Sequence, residues 1–232
     1  MKTIGIMLLA LAIAMLTFAA FVVGDPTGGV LTPGNSSRGV DPSATTQAAQ
    51  AGNVTQLNID QTRITTIWQG FYGNVSGQIV LENSAGDNFY DWTQATTLGQ
   101  VYGTRLAIAS WADINCTNST QWETEENALN IPSTATDGIN ETFTGTTHPT
   151  FSVGAKTIPV DYCKSTRPYN STGLPGDFYN VLLNSNNTNT VYTAVLADNR
   201  NGFDDTTVDF EILVPTDRST GTATYYFYVE LQ

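Results

Sequence analysis

The start of the chain decides which side of a membrane everything else occupies. Residues 4–24, IGIMLLALAIAMLTFAAFVVG, carry no charge; Lys2 precedes them and Asp25-Pro26 follows. Two readings fit. One is a secretory signal peptide, with a basic start, an apolar middle and small residues near Val22-Val23-Gly24 for cleavage. The other is an uncleaved anchor, since about 20 apolar residues suffice to cross a bilayer. Lys2 then stays inside and Asp25 leads the rest outside. Both readings export everything after Gly24. A buried helix of a soluble protein is disfavoured, because the run is terminal and apolar on all sides.

Residues 25–61 read as a flexible linker. DPTGG, TPGNSS and SATTQAAQAG carry too little apolar surface to offset the entropy of ordering and behave as semi-extended chain. Pro26, Gly28 and Gly29 also stop any helix continuing from the apolar run. That argues against a third reading of residues 1–24, a filament-core helix cut after Gly5. Within the linker, Val54-Thr55-Gln56-Leu57-Asn58-Ile59 alternates. It is a candidate donor strand for a neighbouring subunit's sheet.

Without the leader about 208 residues remain, one domain of ordinary size or two small ones. Hydrophobic residues make up 41% and charged residues only 13%. A core is therefore available, and the surface must be made polar by Thr, Ser, Asn and Gln. The formal net charge of −12 argues against nucleic-acid binding and against docking on anionic lipid. Any contact with a membrane is expected only through the N-terminal segment, if it is uncleaved.

Structured sequence begins near Thr62, and residues 62–232 form the expected domain. Residues 62–71, 78–82, 88–93, 101–110, 178–183 and 191–197 are rich in β-branched and aromatic residues between turn signals. Val208, Phe210, Ile212 and Val214 alternate with Thr207, Asp209, Glu211 and Leu213. Tyr225, Phe227, Val229 and Leu231 alternate with Tyr226, Tyr228 and Glu230. Period-two alternation places one set inward. The connection 215–222 contains Gly221, which can take positive φ. This pattern predicts a mainly β fold, a single β-sandwich of Ig-like or jelly-roll-like type. One short helix is expected, opened by a capping box at Thr120-Gln121-Trp122-Glu123 and ended by Asn130 and Pro132.

The chain has two cysteines, Cys116 and Cys163. In an exported protein they are expected to form one disulfide. Asn-X-Ser/Thr acceptors are dense: Asn35, Asn53, Asn74, Asn115, Asn118, Asn140, Asn170 and Asn186. Composition alone accounts for roughly half of them, and each marks a candidate exposed glycosylation site. Residues 198–205 are rich in oxygen ligands, but aligning Gly202 with the glycine of a calcium loop puts Ala197 at the first ligand position. A tight turn at Asn201-Gly202 between two strands fits better.

Enzyme signatures are thin. His148 is the only histidine. Gly73-Asn74-Val75-Ser76-Gly77 has its serine in the wrong place for a nucleophile elbow, and no glycine-rich phosphate loop occurs. Asp91, Glu123, Glu211 and Glu230 lie beside aromatics, as a glycosidase pair could, but such residues are more often strand-face polar groups. Trp68, Trp92, Trp111, Trp122 and Tyr225-Tyr226 read as core and sheet-face aromatics. Nothing calls for a catalytic, cofactor or metal site.

WQGFYGNVSG (68–77), GQVYGTR (99–105), GFD (202–204), DFEILVP (209–215) and YYFYVEL (225–231) resemble a family of uncharacterised archaeal secreted or cell-surface proteins. The resemblance runs from about residue 62 to 231. It implies location, and is compatible with archaeal N-glycosylation, but implies no activity. The sequence thus leads to a non-enzymatic extracellular structural or adhesive surface glycoprotein. It would associate with itself, as a filament subunit exchanging strands, or with other surface components. The alternative is a carbohydrate- or ligand-binding surface module.

Overall fold

A computed structural model describes residues 24–93, 98–186 and 188–231. The expected N-terminal apolar helix, and with it the choice between leader and anchor, lies outside the described residues.

The fold is mainly β with antiparallel sheets. Its centre is made by the runs with the fewest polar interruptions. VLL lies in β10 (Tyr179–Ser185) and VYTAV in β11 (Asn189–Val195). These pair with each other, and β11 pairs with β5 (Gly99–Thr104). β5 in turn pairs with β15 (Tyr226–Leu231). On the far side of β10 lie β6 (Ile114–Cys116) and β9 (Ser165–Thr166). A short β1 (Thr27–Gly28) closes the other edge beside β15, completing a seven-stranded sheet.

Both faces of this sheet are covered. On one, Val101, Leu182, Tyr192 and Ala194 pack with Ile212 and Val214 of β14 (Phe210–Pro215) and with Ile67, Leu129, Ile139 and Phe143. β14 is paired there with β2 (Trp68–Gly73). On the other, Tyr102, Val181, Leu183 and Val191 pack with Trp111, Ile114, Cys163 and the hairpin of β7 (Phe151–Val153) and β8 (Lys156–Ile158). Successive residues of one strand thus enter opposite cores, as the pleat requires. This double burial erases the in-out alternation expected of the C-terminal strands: Phe227 and Val229 join the first core, while Tyr228 joins the second. Asp209 and Glu211 are buried too, held by N–H groups of Asn199 and Phe203 in the loop that folds back over β14.

β14 faces β10 across the layers, and Asn180 of β10 serves as its missing strand partner. Its Nδ2 donates to the Glu211 carbonyl at 2.7 Å, and its Oδ1 accepts from the Leu213 N–H at 2.8 Å. The carbonyl of one residue and the amide two residues on point the same way from a strand. One carboxamide therefore satisfies both.

Several boundaries differ from expectation. The first domain strand starts at Trp68 rather than Thr62, because Thr65 turns back through its hydroxyl to cap the Ile67 N–H and bind Asp137. The strand after Gly99 ends at Thr104, where Arg105 leaves the ladder to pair with Glu125. The chain 215–222, with Gly221 at φ 74°, crosses from the β14–β2 ribbon to the main sheet.

Among the described residues there are two short helices rather than one. α1 (Ser119–Ala128) is capped by Asn118, whose side chain accepts from the Gln121 N–H while the Gln121 side chain returns the bond. The capping box therefore sits two residues earlier than Thr120. Leu129 ends α1, and Asn130 follows with φ 55°. α2 (Ile139–Thr142) has no cap of its own at Gly138. The Glu126 carboxylate from α1 accepts from the Ile139 N–H at 2.7 Å instead. A Cβ at Gly138 would meet Glu141 Oε2 at 2.6 Å and that carboxylate at 2.9 Å, so a larger residue would have to displace both side chains.

The linker is tied down at two points. β1 pairs Thr27 with Val229 and Gly28 with Tyr228, and Asp41 Oδ1 accepts from the Ile64 N–H at 2.7 Å. Residues 42–61 between Asp41 and the domain are exposed and form no strand, so the tract 54–59 is unpaired within one chain.

Candidate functional site

Of the features legible in the sequence, the cysteines, His148 and the acceptors Asn115 and Asn118 lie around β6 and the loops that cross the second core. β6 is an edge strand, held by pairing of Cys116 with Leu183 and Asn115 with Asn184. The Thr117 hydroxyl donates to the Leu183 carbonyl at 2.6 Å. Cys116 is joined to Cys163 by the expected disulfide, with Cα atoms 5.1 Å apart. Cys163 is fully buried.

His148 explains its own presence here. It is buried at 1% exposure. Its Nδ1 lies 2.8 Å from the Pro149 carbonyl, and its Nε2 accepts from the N–H groups of Tyr162 and Cys163. Two donors at Nε2 assign the proton to Nδ1. The imidazole is a buried acceptor that pins the cysteine loop, and among the described residues no nucleophilic side chain is bonded to it.

The acceptor asparagines split by environment. Asn35, Asn53, Asn74, Asn115, Asn118, Asn140 and Asn186 are exposed, and Asn170 is half-buried. Asn115 bonds Lys156 Nζ through Oδ1 at 2.5 Å and donates from Nδ2 to the Asp113 carbonyl. Its sequon hydroxyl, Thr117, is the buried donor to Leu183. Asn170 uses Oδ1 to accept three bonds that close the turn to Leu174. Asn118 caps α1 through Oδ1, which leaves Nδ2 outside that bond.

The carboxylates singled out by their aromatic neighbours do not form a pair. Asp91 sits on an exposed hairpin and Glu123 on the outer side of α1. Glu230 lies in the second core, accepting from the Tyr102 hydroxyl at 2.8 Å and the Gly154 N–H at 3.0 Å. Burial, with Glu230 beside it, pushes the Tyr102 phenol well above its usual range. Glu211 accepts from the Phe203 N–H at 2.7 Å; its other oxygen is buried with no partner among the described residues.

The 198–209 loop is held by backbone bonds. β12 (Arg200–Asn201) and β13 (Thr207–Val208) are joined by a five-residue loop closed by Gly202 N–H to the Thr206 carbonyl at 2.8 Å. It is longer than the tight Asn201-Gly202 turn expected. Asp209 accepts from Val75 and Asn199 N–H groups. Among the described residues, no three His, Cys, Asp or Glu side chains converge to hold a metal.

Burial raises the Glu211 carboxyl, and Asp204 adds to the shift; burial also raises Glu126 against its two backbone donors. A carboxyl whose folded pKa is raised takes up a proton on folding. Stability then falls as pH rises from the unfolded value through the folded one. Apparent stability is therefore expected to rise on acidifying from neutrality toward pH 5, and Glu211→Gln should flatten that slope. Thermal unfolding across pH 5–8 checks it; an unchanged slope in Glu211→Gln removes Glu211 from the account. Asp204 and Asp217, lowered by the Thr206 and Ser219 side chains, act oppositely but below the ordinary aspartate range.

One arrangement had no sequence signal beyond a scarce cation after a strand. Arg105 grips Glu125 of α1 with Nε–Oε1 and Nη2–Oε2 both at 2.7 Å. They line a small cleft with Thr104, Leu106, Thr188, Asn189 and Thr190. The pair locks α1 over the main sheet.

Comparison of the chain with protein-family models, with curated proteins and with solved structures returns no match.

Proposed function

We propose that the chain is an exported, non-enzymatic structural or adhesive glycoprotein of an archaeal surface, joining copies of itself into filaments by strand exchange. The observation that carries this reading is the Cys116–Cys163 disulfide, set in a core and flanked by the Asn115 and Asn118 acceptors. Such a bond persists in oxidising compartments, which agrees with the apolar N-terminal run. The ribbon packed over the main sheet supports a sandwich-type domain of 62–232, with 25–61 as its tether. The resemblance to archaeal surface proteins belongs to this proposal. Glycopeptide mapping of the exported protein tests it. Sugar is expected on Asn35, Asn53, Asn74, Asn115, Asn118, Asn140 and Asn186, whose side chains are exposed; bare asparagine at all of them would sink the glycoprotein reading.

A second reading, a carbohydrate-binding module, draws on one feature. Tyr90 and Trp92 lie side by side, ring centroids 4.7 Å apart, and both are exposed. Exposed aromatic pairs can stack on sugar rings.

A further inference from the structure

The hairpin of β3 (Gln78–Glu82) and β4 (Asn88–Thr93) is built like part of a core but touches none. Its register opposes Ile79 to Trp92 and Leu81 to Tyr90, and Val80 to Asp91. The pleat therefore gathers Ile79, Leu81, Tyr90 and Trp92 on one face, with Gln78, Val80, Glu82 and Asp91 on the other. Those four apolar side chains are 51–63% exposed. Among the described residues the hairpin pairs with no third strand. A lone two-stranded hairpin is marginal in water, and a third strand is the usual remedy.

The same chain carries a matching strand that is also unpaired. Residues 42–61 leave the domain at the Asp41–Ile64 bond, turn at Ala51-Gly52 and return. Among the described residues their hydrogen bonds run only within that stretch. On the returning limb Thr55, Leu57 and Ile59 share one parity, and Val54, Gln56 and Asn58 the other. Leu57 is 59% and Ile59 81% exposed. Added to the hairpin's edge, this limb would continue the face of Ile79, Leu81, Tyr90 and Trp92 with Leu57 and Ile59, and would place Val54, Gln56 and Asn58 on the face of Val80 and Asp91. About ten residues per limb can reach roughly 30 Å from the body. The hairpin face alone offers four side chains, well short of the ~800 Å² per partner of a stable interface. The limb and the domain it leads into, eight residues from Ile59 to Ile67, supply the remainder.

Deepening the filament reading on which it rests, we infer that the hairpin 78–93 of one copy accepts residues 54–60 of a second copy as an added strand. Each copy holds one donor and one acceptor, so the contact is head-to-tail and propagates.

The test uses the full chain, purified as exported, in analytical ultracentrifugation. Wild type is expected to gain mass with concentration. Leu57→Asp/Ile59→Asp, which spoils the donor, and Tyr90→Ser/Trp92→Ser, which spoils the acceptor, should each remain monomeric with an unchanged unfolding temperature. Mixed, the two variants should form a 1:1 dimer and nothing larger, since one intact donor meets one intact acceptor. Association of both variants to the wild-type extent would overturn this interface while leaving self-assembly standing. A wild type that stays monomeric at all concentrations would overturn both. Monomeric wild type that binds polysaccharide or phosphatidylcholine vesicles through Tyr90 and Trp92 would assign the hairpin to sugar or lipid instead.

Discussion

Replacing both cysteines, Cys116→Ser with Cys163→Ser, should cost about 4 kcal/mol of stability. The bond closes a loop with a sequence separation of 47, and the chain-entropy relation for a loop of that length gives that figure. It is a large part of the 5–15 kcal/mol that holds a typical domain folded. For a chain of this size it corresponds to roughly a 10 °C fall in melting temperature. The damage should centre on the second core. Cys163 is buried there beside Trp111, Phe151 and Val181, and its N–H is held by His148. Urea unfolding of the oxidised protein and of the double variant reads the difference directly. A loss below 1 kcal/mol would mean that β6 and the cysteine loop are held by packing and by His148 alone.

The second large effect is expected at Asn180. Asn180→Leu keeps the volume but removes both partners of the β14 edge, the Glu211 carbonyl and the Leu213 N–H. Each buried group left unpaired costs about 1–3 kcal/mol, so the variant should lose about 3 kcal/mol. Asn184 is the internal control. It lies in the same strand, equally buried, yet its carboxamide has no partner among the described residues. Asn184→Leu deletes no bond to the backbone and should fall within about 1 kcal/mol of wild type. Denaturant midpoints of the two variants separate specific edge capping from a general penalty for altering β10. Equal losses at both positions would contradict the capping role.

The strands that could be read from the sequence were those bounded by strong turn signals. GQIVLE and NFYDWT were legible because Ser84-Ala85-Gly86-Asp87 separates them. The cysteine pair was legible because the chain has only two. What could not be read was which strands share a sheet. β14 and β15 are adjacent in sequence and look like two arms of one meander. In the fold they occupy different layers, because β15 pairs with β5 and β14 with β2. Asn180 gave no local signal, since its partners lie 31 and 33 residues away. The same holds for Arg105 and Glu125, which meet only once α1 is laid over the sheet. Glu211 and Asp209 read as outward strand residues; a loop folding back from 198–206 buries them. Residues 25–61 read as one linker; the fold leaves 42–61 as exposed chain, but composition could not show that Thr27 and Gly28 add to the sheet.

The central claim is that this β domain matures outside the cytoplasm, with its core closed by a disulfide. The most direct test is intact mass and N-terminal sequencing of the native protein from the surface fraction, before and after reduction and alkylation. The account predicts no alkylation without reductant, two alkylated cysteines after it, and a mass above that of the polypeptide by the weight of attached sugar. A cytosolic product of bare polypeptide mass, with both thiols alkylated before any reductant is added, would contradict it.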